Sequence, residues 1–273
     1  MRFSFKTTVA IVSTLLLVSS CSGNKGAKEF LSEAGNAYRE GNYSLSKRKI
    51  DSIKIIHPTA FDEINAGFEL MQEVRMAENK RNIVYCDSML REKYNQLNQI
   101  LGRFDYIRDE RYQEFGEYYP KAYPYQASLN RNGIRSGVCE KGVLFLESIL
   151  SGSAIRHNKV SVSTPDGNFA ETLAVTSDGL NYRFNTLDKS YEIVRYRGDS
   201  ENGVARFVYS FRDQPISIQF IGKRNVTVPM TDAAKKGISD SFELSAFLLD
   251  IEQLKLEKEK SEALIRYLES RKQ

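Results

Sequence analysis

The stretch "GIRSGVCEKGVLFLESIL", residues 133–150, is where the chain changes its period. Before it, apolar residues recur every three or four positions. From Gly133 onward they recur every second position, which is strand spacing. "IRSGVC" and "VLFLESIL" flank Glu140-Lys141-Gly142, a turn. "KVSVS", "FAETLAV", "NYRFN", "YEIVRY", "VARFVYSF", "ISIQFIG" and "NVTVPM" follow. Pro165-Asp166-Gly167, Ser177-Asp178-Gly179, Gly198-Asp199 and Asp213-Gln214-Pro215 separate several of them, each a turn signal. Eight or nine short strands on short turns predict an antiparallel meander over 133–230, a small sandwich or open barrel.

Outward on the N-terminal side, residues 116–132, "GEYYPKAYPYQASLNRN", read as an aromatic connector. Before it, Phe61 to Phe115 carries no proline and reads as helical. Ile83, Cys86, Leu90, Tyr94, Leu97, Leu101 and Phe104 form a heptad-like seam. Charged "RMAENKR" in the middle is either a solvated stretch or a break between two helices. On the C-terminal side, Thr231-Asp232 is an N-cap signal. Ile238, Phe242, Phe247, Leu248, Ile251, Leu254, Ile265 and Leu268 then share a stripe, with Lys258 and Ser261 interrupting it as a weak point. Neither long helix can leave its stripe in water. Pairing them antiparallel, with the β-domain inserted at the far end, satisfies both. The expected fold class is α+β: an N-terminal helical hairpin, a long-helix antiparallel stalk and an inserted antiparallel β sandwich or open barrel.

The hairpin is residues 27–58. Gly41-Asn42 makes its turn, and Ile50, Ile53 and Ile56 have helical spacing up to Pro58. Gly35, Tyr38, Gly41, Tyr43, Ile50 and Pro58 resemble a single tetratricopeptide repeat, with Ser46 where Ala is usual. No second copy follows, so the resemblance implies a helical hairpin and not a stacked superhelix.

At the start of the chain, "MRFSFK" is basic and "TTVAIVSTLLLV" is an apolar run of about a dozen residues. That suits a signal peptide and falls short of the ~20 residues of a membrane span. Val18-Ser19-Ser20-Cys21 resembles the bacterial lipobox. The resemblance implies that residues 1–20 are removed and that Cys21 is acylated. Two or three acyl chains, at about 0.8 kcal/mol per buried methylene, give stable anchoring. Polar residues 21–27 then read as a tether. The remaining divisions are 28–115 for hairpin and long helix, 116–132 for connector, 133–230 for β-domain and 231–273 for the final helix.

The formal charge is +4 over 273 residues, and two of the cations, Arg2 and Lys6, leave with the signal. So weak a basic excess argues against nucleic acid as a partner. No nucleophile-elbow, zinc-protease, phosphate-loop or dinucleotide motif occurs. The two histidines, His57 and His157, are far apart, so neither a metal nor a cofactor is expected. His57 reads as a helix-end residue and His157 as an exposed turn residue in "RHNK". Glu171, Asp178 and Glu192 have no spacing that demands a catalytic pair. Cys86 and Cys139 read as buried thiols, with a disulfide as the alternative. Tyr118, Tyr119, Tyr123 and Tyr125 read either as packing between stalk and β-domain or as a partner or glycan surface. Asp51-Ser52-Ile53 and Asp87-Ser88-Met89 resemble an Asp-Ser/Thr-apolar acceptor for O-glycosylation, which makes Ser52 and Ser88 candidates.

The lipobox cysteine, "GNYSLSKRKIDSIKIIHPTAF", "LMQEVRMAENKRNIVYCDSML" and "GIRSGVCEKGVLFLESILSG" together resemble a group of uncharacterised envelope lipoproteins of Bacteroidota. The resemblance implies a location and no activity. "SGNKGAKEF" has no acid until Glu29, which favours the periplasmic face of the outer membrane over the cell surface. The expected function is non-catalytic: a membrane-anchored scaffold or adaptor for another protein. A glycan-binding module is the first alternative and an enzyme of unknown type the second.

Overall fold

The computed structural model describes residues 23–126, 131–152, 154–176, 181–186 and 189–271. Its helices are α1 (Gly23–Arg39), α2 (Tyr43–Ile56), α3 (Phe61–Leu101), α4 (Val204–Ser210) and α5 (Asp232–Ser270). Its strands are β1 (Phe104–Ile107), β2 (Glu117–Pro120), β3 (Gly133–Cys139), β4 (Leu144–Gly152), β5 (Lys159–Ser163), β6 (Phe169–Glu171), β7 (Asn181–Asn185), β8 (Ser190–Arg197), β9 (Ser217–Ile221) and β10 (Asn225–Pro229). The chain divides into two units. One is the chain up to Cys86 with Glu257 onward; the other is Asp87–Leu256. The mixed α+β class expected from the sequence is the observed one.

In the first unit, α1 and α2 form the expected hairpin. Gly41 has φ +74°, a left-handed conformation natural to glycine. Asn42 caps α2 by accepting from the Leu45 N–H at 3.2 Å. Ala34 and Ala37 are buried, so the helices approach closely, and Ser46 is buried as well. Ala34, Ile50, Met71 and Val74 make one core cluster; Ala27, Ile53 and Ala60 make another. Helix α3 begins at Phe61 with Asp62 and Glu63 in its first turn, where carboxylates favour the helix dipole.

The charged middle of α3 is neither solvated idly nor broken. Lys47 reaches Glu78 at 2.7 Å. Arg81 donates to the Gly41 carbonyl at 3.0 Å and lies over the Tyr43 ring at 4.3 Å. These residues dock the hairpin on the helix. In the same unit the Asn82 amide donates to Ser261 Oγ at 2.8 Å, and Ser261 and Leu268 are buried. The weak point expected at Ser261 is therefore a helix contact. The tether expected over 21–27 is also corrected, because α1 already begins at Gly23.

In the second unit the long helices run antiparallel. Arg103, just past α3, pairs with Asp240 at 2.5 Å; Lys93, earlier in the chain, pairs with Asp250, later in it, at 2.8 Å. Leu97, Ile100 and Leu101 pack with Phe104, Val138, Leu244 and Leu248 between them. Serines on α5 let the β-domain come close: Ser241 Oγ is 2.9 Å from Ser136 Oγ, and Ser245 Oγ donates to the Gly142 carbonyl at 2.6 Å.

The strands form two antiparallel sheets, in the orders β1-β2-β3-β4-β8-β7 and β10-β9-β5-β6. They share one core. Ile134, Leu146, Leu150, Val194 and Tyr196 of the larger sheet meet Val160, Val162, Ile218 and Phe220 of the smaller, and α4 and Ile238 complete it.

Four further expectations need correction. The long helix ends at Leu101 and not at Phe115, because "FDYI" leaves it as β1 and pairs Phe104 with Pro120 on β2. The connector 116–132 accordingly begins as a strand. Third, "VARFVYSF" is a helix, α4. Its buried residues, Val204, Ala205, Phe207 and Val208, fall at i, i+1, i+3 and i+4, a helical face that alternation disguised. The simple meander gives way to a chain that crosses between sheets after β4, β6 and β8.

Candidate functional site

Three side chains with chemical potential converge between the sheets. Ser148 is on β4, Glu192 on β8, and His157 lies two residues before β5 of the partner sheet. His157 Nδ1 is 2.7 Å from Glu192 Oε2, and His157 Nε2 is 2.7 Å from Ser148 Oγ. Glu192 also accepts the backbone N–H groups of Arg156 at 2.6 Å and His157 at 2.9 Å. Burial opposes the carboxylate, but these donors outweigh it and hold the Glu192 carboxyl below its ordinary value. Burial holds the His157 imidazole below its ordinary value, with Glu192 only partly offsetting this. Glu192 is thus an anion and His157 neutral near pH 7. The proton sits on Nδ1, facing the carboxylate, and Nε2 accepts from the serine.

Nucleophile, base and orienting acid are therefore present in the order a hydrolase uses. Access is what is missing. Ser148 and His157 are 0% exposed and Glu192 is 2% exposed. The His157 ring is covered edge-to-face by Phe220 at 5.2 Å. Arranged so, the three residues pin the smaller sheet to the larger one. The sequence places His157 in an exposed turn because its neighbours are polar; the structure buries it completely. No local spacing signals its partners, which lie in other strands.

On the opposite face of the larger sheet, cross-strand neighbours Arg135, Glu147 and Arg195 form a row. Arg135 Nε is 2.5 Å and Arg195 Nε 2.8 Å from the Glu147 carboxylate. Arg195 also grips Glu117 of β2 with two bonds at 3.0 and 2.9 Å. Burial opposes the Arg195 charge, yet Glu147 and Glu117 more than compensate and raise its pKa. Tyr119 donates to Glu117 at 2.6 Å; burial and this carboxylate push its phenol far up. Tyr125 stacks on the Arg135 guanidinium at 3.8 Å. The row holds two cations and two anions, mutually satisfied. In sequence they were visible only as charges inside apolar strands.

The four tyrosines, read either as packing or as one partner or glycan surface, are dispersed, and three of them pack. Tyr118 packs into the helix cluster with Leu244 and Leu248. Tyr123 lies in the main core, and Tyr119 is buried over the charged row. Tyr125 alone of the four is exposed. Ser52 is half-buried on α2 and donates to the Arg48 carbonyl at 2.8 Å, whereas Ser88 is exposed on α3. Cys86 and Cys139 are each buried, in different units. Glu171 pairs with Lys159 and does not join Glu192. Cys21 and Asp178 lie outside the described residues. A cleft beside the start of α5 sets Arg103, Arg212, Lys235 and Lys236 against Asp213, Asp232, Asp240 and Glu243, so its charges cancel. Among the described residues no cluster could hold a metal, and no helix is long and apolar enough to cross a membrane.

The remaining feature is apolar and exposed. In the first unit Ile55 (78% exposed) and Ile56 (56%) end α2 and Phe61 (69%) begins α3, with Phe68 (63%) further along it. Phe61 and Phe68 are two turns apart on one face of α3.

No family model, characterised protein or solved structure matches this chain.

Proposed function

We propose that the chain is a lipid-anchored protein of the bacterial cell envelope, a scaffold or adaptor that binds another protein and turns over no substrate. Val18-Ser19-Ser20-Cys21 supports the anchor, with acylation at Cys21 and residence on the periplasmic face of the outer membrane. The observation that carries the non-catalytic part is the sealing of Ser148, His157 and Glu192, the one serine relay among the described residues, away from any substrate.

Two measurements test this reading. Cys21→Ala should move the protein from the membrane to the soluble fraction or stall its processing; unchanged membrane partitioning would defeat the anchor. A fluorophosphonate probe should leave Ser148 unmodified in the native protein; a mass increase on the peptide containing Ser148 would show an accessible nucleophile and turn the reading towards an esterase.

One observation favours the glycan alternative. Tyr182 and Phe184 project from edge strand β7, 58% and 46% exposed, and Phe184 stacks on Tyr191 at 4.9 Å with 9° between planes. Flat exposed rings suit sugar faces. Tyr182→Ala with Phe184→Ala should abolish retention on envelope polysaccharide if that alternative is right.

A further inference from the structure

We infer that the α2–α3 corner is a membrane-contact face, seated on the lipid surface in which Cys21 is anchored. The inference rests on the anchor reading above. Because α1 and α2 are antiparallel, the end of α2 returns to the start of α1. Phe30 and the His57 ring are 6.0 Å apart, and a Cβ placed on Gly26 would lie 2.8 Å from His57 Nε2. Ala27, Ile53 and Ala60 are buried together there. The corner carrying Ile55, Ile56 and Phe61 is thus in contact with residues 26–30.

Helix α1 starts at Gly23, two residues after Cys21. A fully extended chain spans at most about 3.5 Å per residue, so Gly26 lies no more than about 18 Å from the acylated residue. Acyl chains at Cys21 therefore hold this corner against the headgroups, where its local concentration at the bilayer is high. Large side chains left 56–78% exposed are costly in water and suited to the headgroup–acyl boundary. The charges around them nearly balance, Lys25, Lys28 and Lys54 against Glu29 and Asp62, all exposed. Apolar insertion, and not attraction to anionic lipid, is then the binding force. The corner also lies beyond the reach of α5. Asn82 meets Ser261, and α5 ends nine residues later at Ser270, so an antiparallel partner stops alongside about residue 73 of α3.

The test uses the full lipidated protein in vesicles of phosphatidylethanolamine and phosphatidylglycerol. Ile55→Cys and, separately, Val84→Cys carry an environment-sensitive dye. Val84 is 69% exposed in the same unit and about 34 Å along α3 from Phe61. With brominated lipid, quenching at position 55 should exceed that at 84 by at least about twofold, as for a shallow interfacial insertion. Phe61→Ser with Ile56→Ser should bring the two positions level. An acylated protein whose dye at 55 is quenched no more than that at 84 overturns the inference and leaves the anchor standing. A blue-shifted but unquenched dye at 55 means that a protein, a second copy included, covers the corner, and also overturns it. An intact mass without acyl chains at Cys21 defeats the anchor reading, and this inference with it.

Discussion

The Asn82 side-chain amide donates to the Ser261 hydroxyl at 2.8 Å, joining residues 179 positions apart on two long helices. A polar residue that interrupts an apolar stripe is thereby a point of attachment. Ser261 is 3% exposed, and Leu268, two turns further, is also 3% exposed. Ser261→Leu should destabilise the first unit, because it strands the Asn82 amide and overfills the site. The expected loss is about 1–3 kcal/mol, read as a lower urea midpoint. Truncation before Leu268 should cost a similar amount by removing a buried leucine. An unchanged midpoint in both would mean that the C-terminal turns of α5 contribute nothing to the unit.

The pH dependence of the β-domain follows from His157 and Glu192. In the unfolded chain the imidazole takes up its proton near its ordinary 6.5; in the folded protein, burial foremost delays uptake to lower pH. Between the two values the unfolded state carries more protons, so stability falls as pH drops below about 6.5. Glu192, held below its ordinary 4.5 by its donors against the opposing effect of burial, adds a loss of the same sign at still lower pH. The urea midpoint should be lower at about pH 5.5 than at about pH 7.5, and His157→Gln should flatten that difference. Equal midpoints for the wild-type protein would contradict the buried neutral imidazole.

Glu147 neutralises the buried guanidinium of Arg135 and the partly buried one of Arg195 at once. Glu147→Ala should cost about 3–5 kcal/mol, since breaking a buried pair leaves its partners uncompensated. Arg135→Met with Glu147→Leu should recover part of that loss, because it removes one buried cation together with the anion. Thermal melts of the two variants decide it; a double variant less stable than Glu147→Ala would show that the row contributes more than mutual neutralisation.

Gly142 turns the β3–β4 hairpin at φ +83°, and an added Cβ would lie 2.9 Å from the Leu249 backbone nitrogen. Gly142→Ala therefore meets both backbone strain and an unyielding neighbour. The expected loss is about 2 kcal/mol or more. Gly198→Ala, at φ +57° with open space around it, should lose only the strain contribution of about 1 kcal/mol. Equal losses in chemical denaturation would show that α5 gives way to the hairpin.

Local pattern was enough for much of the fold. Period two from Gly133, turn residues between short runs, and the stripes on α3 and α5 are each statements about neighbours in sequence. β5 and β7 fall on the residues that alternation marked, Lys159–Ser163 and Asn181–Asn185, and Leu97 and Leu101 of one stripe pack with Leu248 of the other, while Tyr94 of the expected seam is exposed. The failures have one cause. "FDYI" and "VARFVYSF" are short enough to fit either period, and only tertiary partners arbitrate: β2 captures the first as a strand, and the core between the sheets accepts the second as a helix.

The candidate sites divide in the same way. The sequence by itself carried the lipobox resemblance at Cys21, which is read as a linear string, and the apolar character of Ile55, Ile56 and Phe61. Tertiary structure alone decided that His157 is buried and not exposed, that Ser148 and Glu192 meet it, and that Arg135, Glu147, Arg195 and Glu117 form one row. Hydrogen bonds between residues 9 to 78 positions apart depend on strand order and register. Those are set by cooperative packing across two sheets, and no spacing along the chain encodes them.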